Sequence, residues 1–351
     1  MARVRCSVCD TQFTPRFSYQ RDQDRFFCSL ACRTPELEAS KPKTCSHCGN
    51  TFEVRFAYQV IAKRDERRLV CSELCRAAAL AEVQRATKRT RVLAVLNQKG
   101  GTGKTTTSVS VAAGLARRGR RVLLVDLDAQ ANSGISLGVR SDTTLYHVLA
   151  EDRPVREAIV AARRDLDLLA SDQSLAVAEL SLVESKDRAE RLRRALRPVM
   201  GAYDDIILDC APSLSILNQN ALYAASEVLV PVSCDYLALV GVKQILRTLH
   251  HVENALLHPV LIAGVLPTFF DSRNRISRQV VEALNGHFGA LVLPPVRVNA
   301  RLKEAPSHKK TIFEYAPDSH GARDYTAVVD HLVGGRAPVE APKVAEVASH
   351  G

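Results

Sequence analysis

The stretch Val92-Leu-Ala-Val-Leu-Asn-Gln-Lys-Gly-Gly-Thr-Gly-Lys-Thr-Thr106 decides the fold class of this chain. Its first five residues are an apolar run, which is typical of a buried parallel strand. The glycine-rich segment follows at once, and a helical pattern then continues to Arg118 and stops at Gly119. A strand, a glycine loop and a helix N-terminus in this order form a phosphate cradle, because backbone N–H groups point inward and the helix dipole favours an anion.

The loop supplies the groups that a nucleoside triphosphate and Mg²⁺ require. Lys104 is placed to reach the β- and γ-phosphates, and the Thr105 hydroxyl is placed to bind Mg²⁺. The pattern departs from the ordinary G-x4-G-K-[ST] loop, because Gln98 occupies the position of its first glycine and Lys99 adds a second lysine. The predicted nucleotide-binding residues of the loop are Gly100, Gly101, Thr102, Gly103, Lys104, Thr105 and Thr106.

Two later apolar runs end in carboxylates. The first is Val122-Leu-Leu-Val-Asp126-Leu-Asp128, and the second is Ile206-Ile-Leu-Asp209. A carboxylate at the C-terminal end of a parallel strand lies where Mg²⁺ and its waters are held, which makes Asp209 a predicted magnesium ligand together with Thr105. The alternative for Asp209 is a buried acid at a strand end that binds no metal.

The Lys-Gly-Gly-x-Gly-Lys-Thr form at 99–105 resembles the deviant P-loop of the ParA/MinD family, and the Asp126 and Asp209 segments resemble two further motifs of that family. The resemblance extends over about 91–331. It implies an α/β fold, a P-loop NTPase with a parallel sheet and helices on both faces, which hydrolyses ATP with Mg²⁺. In that family the first lysine reaches the nucleotide of the other subunit in an ATP-closed homodimer, and Lys99 takes that role by resemblance.

The resemblance also assigns the hydrolytic residues. The later aspartate of the second motif, Asp128, orients the attacking water, whereas Asp126 lies near the metal or is structural. Lys99, Lys104 and Asp128 form the predicted catalytic set. Arg297 stands where the family has a proline in the loop beside the adenine, and Asn299 is the predicted nucleotide-binding residue of that loop.

Two stretches resemble segments characteristic of the partition branch of the family, Phe270-Asp-Ser-Arg273-Asn-Arg275-Ile and Val298-Asn-Ala-Arg301-Leu-Lys303-Glu-Ala-Pro-Ser307. By this resemblance Arg273 and Arg301 contribute to sequence-independent DNA binding by the ATP dimer, and Lys303 extends the patch. Such contacts go to backbone phosphates and depend strongly on salt. A solvated surface charge is the alternative for each. The branch also implies a ParB-like partner that stimulates hydrolysis.

Further strands are predicted at 166–170, 228–232, 261–266 and 291–296, with helical segments between them. This alternation predicts a parallel sheet covered on both faces. No run approaches the about 18 apolar residues of a membrane span, the Pro-broken tail disfavours membrane recruitment, and the first residues lack the apolar run of a signal peptide. The expectation is a soluble, cytoplasmic, nucleoid-associated protein without a membrane partner.

Eight of the ten cysteines lie in two repeated units near the N-terminus. Each unit reads C-x2-C, a gap and C-x3-C, and the second unit has four extra residues around 63–68. Paired thiolates at this spacing are typical of a closed tetrahedral Zn²⁺ site, which is structural because it leaves no position open for substrate. The predicted zinc ligands are Cys6, Cys9, Cys28, Cys32, Cys45, Cys48, Cys71 and Cys75.

Three alternatives to these ligands are disulfides, a redox C-x2-C pair, and His47 in place of one thiolate. A cytoplasmic nucleotide-binding body argues against disulfides. The redox pair is disfavoured because no βαβ pattern surrounds the cysteines, and His47 is disfavoured because each unit already has four thiols. The units resemble small treble-clef or ribbon-like zinc fingers, which leaves nucleic acid and protein both open as their ligand. The two later cysteines, Cys210 and Cys234, are interpreted as small buried residues.

The charge is uneven along the chain, whose net charge is +10. Residues 1–90 hold 17 Lys and Arg against 10 Asp and Glu, which is +7, and the remaining residues hold +3. A basic module joined to a nearly neutral body indicates a polyanionic partner. The predicted domains are zinc units at 1–40 and 41–80, a basic linker at 81–90 that continues a helical pattern from 77, a ParA-type P-loop ATPase at 91–335 and a flexible tail at 336–351.

These patterns favour three functions in order. The first is a ParA-type ATPase that binds DNA as an ATP dimer and segregates a chromosome, a plasmid or another cargo. The second is a related ATPase that positions a protein cargo docked on the zinc units. The third is a zinc-finger regulator that uses the nucleotide as a sensor with negligible turnover.

Overall fold

A computed structural model describes residues 3–15, 20–22, 25–28, 32, 42–53, 59–63, 66–72, 75, 90–184, 188–212, 215–235 and 261–334. The chain divides into two compact units, Met1–Lys88 and Arg89–Gly351. The helical pattern at 77–89 and the tail at 336–351 lie outside the described residues.

The described part of the smaller unit contains four short antiparallel hairpins, two in each cysteine repeat. The four residues that the second repeat has in excess lengthen its second hairpin, which has four cross-strand pairs where the first repeat has two. The hairpins are β1 (Val4–Arg5) with β2 (Gln12–Phe13), β3 (Arg21–Asp22) with β4 (Arg25–Phe26), β5 (Lys43–Thr44) with β6 (Thr51–Phe52), and β7 (Val60–Lys63) with β8 (Glu66–Leu69).

The described residues of the larger unit form one seven-stranded sheet. Its strands are β9 (Arg91–Val95), β10 (Val122–Leu127), β11 (Ile159–Arg163), β12 (Leu166–Leu169), β13 (Asp205–Cys210), β14 (Glu227–Ser233) and β15 (Leu261–Thr268). They lie in the order β11-β12-β10-β13-β9-β14-β15. All neighbours are parallel except the edge strand β11, which is antiparallel to β12. Strand β11 is not among the predicted strands, and its residues are only half-buried or exposed.

Each face of the sheet has its own hydrophobic core, because successive side chains of a strand point to opposite faces. In β9, Val92 and Ala94 belong to one buried cluster, whereas Leu93 and Val95 belong to the other. A near-continuous apolar run is the composition expected of a strand buried on both sides. The prediction of an α/β fold with helices on both faces of a mostly parallel sheet is confirmed.

The helices found in the described part of the larger unit form the two outer layers. They are α1 (Lys104–Ala116), α2 (Asn132–Leu137), α3 (Leu145–Ala150), α4 (Val155–Ala158), α5 (Leu175–Glu184), α6 (Arg191–Leu196), α7 (Ile216–Ala224), α8 (Arg275–Phe288), α9 (Ala300–Glu304), α10 (Ile312–Tyr315) and α11 (His320–Val333). Short 3-10 turns occur at Met200–Ala202, Gly289–Leu291 and Ala305–His308. Among the described residues, no helix is both long and apolar enough to cross a bilayer.

The prediction of a strand at 291–296 is wrong. The segment forms only an isolated bridge to β15, at Val292. Pro294 and Pro295 have no N–H group to donate, so a continuous ladder cannot form there. The Leu293 N–H still donates to a β15 carbonyl at 2.9 Å, which keeps the segment along that strand.

Asp205, at the start of β13, is fully buried and accepts hydrogen bonds from Arg91, at 2.8 Å, and from Arg120. We expect Asp205→Ala to lower the free energy of unfolding by about 3 kcal/mol, because it leaves two largely buried guanidinium groups without a carboxylate. Urea denaturation measures the change. As a control, Asp330→Ala removes a carboxylate that pairs with Arg118 and is 61% exposed, so it should cost less than about 1 kcal/mol. Equal losses would contradict the buried-pair account.

Candidate functional site

The glycine-rich loop turns between β9 and α1 at the carboxyl edge of the sheet. Gly101 and Gly103 have φ angles of 73° and 83°, a region that glycine adopts without steric cost. Gly103 is also the N-cap of α1, so the loop runs directly into the helix N-terminus. Thr102 is buried, and its carbonyl accepts a hydrogen bond from the Thr268 hydroxyl at 2.9 Å. The loop is therefore tied to the end of β15.

The outer side of the loop is accessible. Gly100 and Gly101 are exposed, and a Cβ on Gly100 would meet no other atom within 4 Å. Thr105 and Thr106, in the first turn of α1, are half-buried. Backbone groups of this side can thus meet a ligand directly, as phosphate binding at a helix N-terminus requires.

The two lysines of the loop have different partners. Lys104 is 7% exposed, and its ammonium donates to the Lys99 carbonyl at 2.9 Å. Burial lowers the pKa of Lys104, and the Asp209 charge opposes that shift. The Lys99 ammonium lies 2.6 Å from each carboxylate oxygen of Asp235, just after β14. Within one chain, Lys99 is therefore held by an acid that follows a neighbouring strand.

Two predicted acids meet at the ends of adjacent strands. Asp126 in β10 and Asp209 in β13 are direct partners in the parallel register. The Asp209 carboxylate accepts hydrogen bonds from the hydroxyls of Ser108, at 2.9 Å, and Ser133, at 2.8 Å. Asp126 accepts from the backbone N–H groups of Ser133, at 3.0 Å, and Asp128, at 3.1 Å. The acids are thereby held between α1 and the start of α2.

The environment of these acids suits a divalent cation. Burial raises the pKa of Asp209, and it raises the pKa of Asp126 to about 8, with the Asp209 charge as the next cause. A cation can supply the counter-charge that buried carboxylates lack. Thr105 also places its hydroxyl at Asp209. An all-oxygen donor set at the phosphate loop fits Mg²⁺, which binds through few protein oxygens and the substrate phosphates.

Asp128 opens the turn that leads from β10 to α2 and is half-buried. Its carboxylate accepts the Gln130 N–H at 3.0 Å, and its carbonyl accepts the Ser171 hydroxyl at 2.6 Å. Ala131, three residues after Asp128, has a φ of 56° and is the N-cap of α2. Asp128 thus lies at the same edge of the sheet as the phosphate loop.

In the loop predicted to lie beside the adenine, the polar side chains form hydrogen bonds with other parts of the same chain. The Asn299 side chain accepts the Arg301 N–H at 2.8 Å and caps α9. The Arg297 guanidinium lies 3.0 Å from the Asp324 carboxylate of α11. The backbone N–H of Arg297 donates to the same carboxylate at 3.0 Å. Arg297 is therefore directed toward α11.

The three cationic residues predicted to contact DNA are exposed. Arg273 and Arg301 each pair with an acid nearby in sequence, at 2.8 and 2.7 Å, and Lys303 lies on α9 with Arg301. The two segments run side by side, since the Val298 N–H donates to the Phe270 carbonyl at 3.0 Å. The two predicted segments are therefore neighbours in the structure, one in a loop and the other largely in α9.

Each cysteine repeat gathers its four sulfur atoms. In both clusters all four Sγ atoms lie within 4.8 Å of one another, and neighbouring pairs are 3.3 to 3.6 Å apart. These distances approach the about 3.8 Å edge of a tetrahedron with Zn–S bonds of about 2.3 Å. All ten cysteines lie in the described part of the chain, and none of them is in a disulfide. His47 belongs to neither group of four sulfur atoms. The arrangement therefore fits two metal sites, each with four thiolate ligands.

The two repeats use the same hydrogen bonds. Gln20 and Gln59 donate to the carbonyl of the third cysteine of their own repeat, at 3.1 and 3.2 Å. The hydroxyls of Ser7 and Ser46 accept a backbone N–H of β4 and β8, at 3.2 and 3.1 Å. The internal repeat of the sequence is therefore also a repeat of the structure.

The first cysteine of each repeat is prepared to bind a cation. Burial would raise the pKa of its thiol, but backbone N–H groups of the knuckle and of the facing segment outweigh burial and lower the pKa of Cys6 and Cys45 to about 6. The thiolate is the form that binds metal. Cys210 and Cys234, by contrast, are buried at the ends of β13 and β14.

These features define a P-loop nucleotide-binding enzyme with two four-sulfur units, and known proteins identify its family. A family model described as an AAA domain matches residues 90–261. The chromosome partitioning protein ParA of Myxococcus xanthus is 43% identical over 248 residues, which cover 69% of this chain and 88% of that protein. The sporulation initiation inhibitor protein Soj of Bacillus subtilis is 44% identical over 240 residues, which cover 67% and 95%.

A solved structure shows the same fold. Cobyrinic acid a,c-diamide synthase from Mycobacterium smegmatis, crystallised with an ATP analogue and magnesium, is 38% identical and has a TM-score of 0.61. The match covers 72% of this chain and 99% of that one. The chain belongs to the ParA/Soj family of chromosome-partitioning proteins and is an ATPase of that type.

Sequence reasoning missed the side chains that hold the site residues. Asp235 is 136 positions from Lys99, and no local motif joins them. Ser133 carries no motif either, because its role depends on how α2 starts. Ser108 could have been found, since it is one helical turn after Lys104 and therefore on the same face of α1.

We expect the purified chain to contain about two Zn²⁺ per molecule, because each four-thiolate site holds one ion. Cys28→Ser should reduce the zinc content to about one and leave the second repeat metallated. Elemental analysis and titration of released zinc with a chromogenic chelator measure this. Cys210→Ser is the control, because it replaces a buried cysteine outside both clusters and should keep both ions. A zinc content near zero in the wild-type chain would contradict the ligand assignment.

Proposed function

We propose that this chain is an ATPase whose ATP-bound homodimer binds DNA without sequence preference and segregates a chromosome, a plasmid or another cargo. A ParB-like partner stimulates its hydrolysis. The observation that carries the proposal is that the two loop lysines lie at the same edge of the sheet as Asp126, Asp128 and Asp209, with Lys104 close enough to feel the charges of Asp209 and Asp128, in a chain of the partition family. This function places the chain at the nucleoid.

Phosphoryl transfer requires mainly positioning and charge neutralisation. Lys104, already desolvated beside the loop carbonyl, binds the β- and γ-phosphates. Thr105 and Asp209 would hold Mg²⁺, which would neutralise phosphate charge when bound. Asp128 orients the attacking water, a role that its half-exposed position at the mouth of the loop allows.

Lys99 acts across the dimer. In one chain its ammonium binds Asp235 at 2.6 Å, and both side chains are partly exposed. ATP binding brings a second subunit to the loop, and Lys99 exchanges Asp235 for the phosphates of the partner's nucleotide. Hydrolysis removes the γ-phosphate, weakens that contact and opens the dimer. The product is a timed conformational change.

The DNA contacts come from Arg273, Arg301 and Lys303. All three are exposed, Arg273 on the loop before α8 and the other two on α9, and these segments adjoin. This arrangement supports contact with backbone phosphates, which carries no sequence information. In the free chain, Asp271 and Glu304 partly offset the positive charge of the two arginines with which they pair. Phosphate oxygens therefore have to displace or share these ion pairs, which favours weak, salt-sensitive binding.

The zinc units at 1–40 and 41–80 act as a structural module, joined by the linker at 81–90 to the ATPase at 91–335. Two other functions differ in what this module does. In a cargo-positioning ATPase it docks a protein complex and DNA serves only as a track. In a zinc-finger regulator it reads DNA sequence, and the nucleotide is a sensor.

We expect ATP-dependent retention of a random-sequence duplex to disappear in Lys104→Ala, because the phosphates lose their buried counter-charge. Arg301→Ala should weaken binding and lower the slope of log K against log salt by about 1, since one fewer phosphate is neutralised. Fluorescence anisotropy with a labelled duplex, measured across a salt series with and without ATP, gives both quantities.

Arg153→Ala is the matched control for Arg301→Ala. Arg153 is also an exposed arginine that pairs with an acid of its own segment, at 3.9 Å, but it lies outside the predicted DNA segments. It should leave the salt slope unchanged. Duplex binding that does not depend on nucleotide in the wild-type chain would overturn the proposed function.

Deletion of residues 1–90 separates the three functions. As far as the structure describes the chain, the two buried clusters of the larger unit contain no residue before Val92, so the remaining chain keeps its core. We expect ATP-dependent duplex binding to survive the deletion. Co-purification with a partner protein that is lost on deletion would favour the cargo-positioning function. Loss of sequence-specific binding, measured by competition between duplexes, would favour the regulator.

A further inference from the structure

The short helix α2 joins the acids of the nucleotide site to an exposed cationic segment. Its first turn contains Ser133, whose N–H donates to Asp126 and whose hydroxyl donates to Asp209. Both ends of the helix have left-handed backbone, at Ala131 with a φ of 56° and at Gly138 with a φ of 69°. A six-residue helix has little stability of its own, so the contacts with its neighbours determine its position.

The far end of α2 lies against Lys309. A Cβ on Gly138 would come within 2.6 Å of the Lys309 Cβ, so only glycine permits this approach. Lys309 itself has a φ of 55°, a left-handed conformation that is costly for a residue with a side chain. The contact between Gly138 and Lys309 therefore persists although the backbone of Lys309 is strained, which indicates that the surrounding structure constrains this turn.

Arg163, at the end of β11, connects the pieces. Its guanidinium donates to the Leu137 carbonyl at 3.3 Å, to the Lys309 carbonyl at 2.9 Å and to the Glu314 carboxylate at 2.6 Å. One planar group thus bridges the last residue of α2, the turn at Lys309 and the helix α10. We call these three contacts the Arg163 clasp.

The turn held by the clasp is continuous with Arg301. The His308 ring stacks on the Tyr315 ring with their centroids 4.7 Å apart. The Tyr315 hydroxyl donates to the Glu304 carboxylate at 2.8 Å, and the same oxygen accepts from Arg301 at 2.7 Å. A displacement of the turn therefore moves the Glu304 carboxylate, which holds the Arg301 guanidinium.

The segment at 301–310 exposes five basic side chains, Arg301, Lys303, His308, Lys309 and Lys310. Flexible lysines and a guanidinium on one exposed segment suit phosphates along a nucleic acid backbone, which needs charge rather than a shaped pocket. Only Glu304 among residues 301–310 is acidic. The segment is therefore a cationic surface whose placement depends on contacts with α2.

We propose that the Arg163 clasp couples the nucleotide site to this cationic segment, so that occupation of the site by nucleotide raises the affinity of 301–310 for duplex phosphates. The proposal rests on the proposed ATP-dependent binding of DNA. Asp209 is held by Ser133 of α2, and groups that bind Asp209 change that contact. The change passes along α2 to the Leu137 carbonyl, through Arg163 to the Lys309 turn, and by way of Tyr315 to Arg301.

The test measures the gain in duplex affinity that a non-hydrolysable ATP analogue with Mg²⁺ produces in the full-length chain. We expect a gain of at least about tenfold in the wild type, within the about 5- to 150-fold range of typical couplings. Arg163→Met keeps the aliphatic stem and removes the three hydrogen bonds of the clasp, together with the one that Arg163 donates to the neighbouring Ala162 carbonyl. It should reduce the gain to about twofold or less.

Arg164→Met is the matched control. Arg164 is the next residue, its side chain is 97% exposed, and it pairs with Asp165 at 3.5 Å rather than with α2. Its replacement removes the same charge from the same hairpin and should leave the gain at the wild-type value. Equal reductions of the gain in the two variants would overturn the proposal, since they would reflect net charge alone. A full gain in Arg163→Met would also overturn it.

Thermodynamic reciprocity provides a second readout. If the clasp carries the coupling, the duplex must raise nucleotide affinity by the same factor in the wild type, and Arg163→Met must lose both effects together. Loss of one effect alone would contradict coupling. An absence of any gain in the wild type would instead refute the proposed function, which distinguishes that failure from a failure of the clasp.

Lys309→Gly covers the case in which Arg163→Met does not fold. Glycine accepts the left-handed conformation at 309, so the variant is not expected to lose stability. It keeps the Arg163 hydrogen bond to the backbone carbonyl of residue 309 but removes the packing of the Lys309 side chain against Gly138, which holds the same turn to α2. The turn then follows α2 less closely, so the gain should fall below the wild-type value. Since the gain is a ratio of two affinities of one variant, the change in charge largely cancels. A gain at the wild-type value in Lys309→Gly would show that the turn does not follow α2 and would overturn the proposal.

Discussion

The buried carboxylate of Asp209 is the group on which the arrangement of the larger unit depends. It lies at the end of β13 with almost no exposure to solvent, and a charge in that position requires donors. Ser108 of α1 and Ser133 of α2 supply them. The same hydrogen bonds that satisfy the acid therefore fix the helix that follows the phosphate loop and the helix that follows Asp128.

The two units are stabilised in different ways. The larger unit places a buried apolar cluster on each face of its sheet, and almost every residue of β9 and β10 is inaccessible to water. The described part of the second cysteine repeat has a core of only Cys45 and Val70, with a few partly buried neighbours. A unit of this size requires a further source of folding energy, and four thiolates around a metal ion provide one.

Local patterns predicted the features that depend on neighbouring residues. The apolar run of β9, the glycines before α1 and the strand-end acids follow each other in sequence and in space, and the cysteine spacing alone indicated two four-sulfur clusters. The wrong strand at 291–296 has an equally local cause, since its apolar residues suggested pairing that Pro294 and Pro295 prevent. The edge strand β11 was not predicted because its short apolar run, Ile159-Val-Ala-Ala, does not alternate and follows directly on α4, so it cannot be told from a helical segment.

The sequence by itself determined the class of fold, the phosphate loop, the acids at its edge and the cysteine clusters. Those features arise from spacing and alternation, which the order of residues records directly. The tertiary structure decided which groups hold them: Asp235 against Lys99, Ser133 against Asp209, and Arg163 between Leu137 and Lys309. Such pairs lie up to 146 positions apart, and only the packing of the sheet and its helices brings their atoms within hydrogen-bond distance.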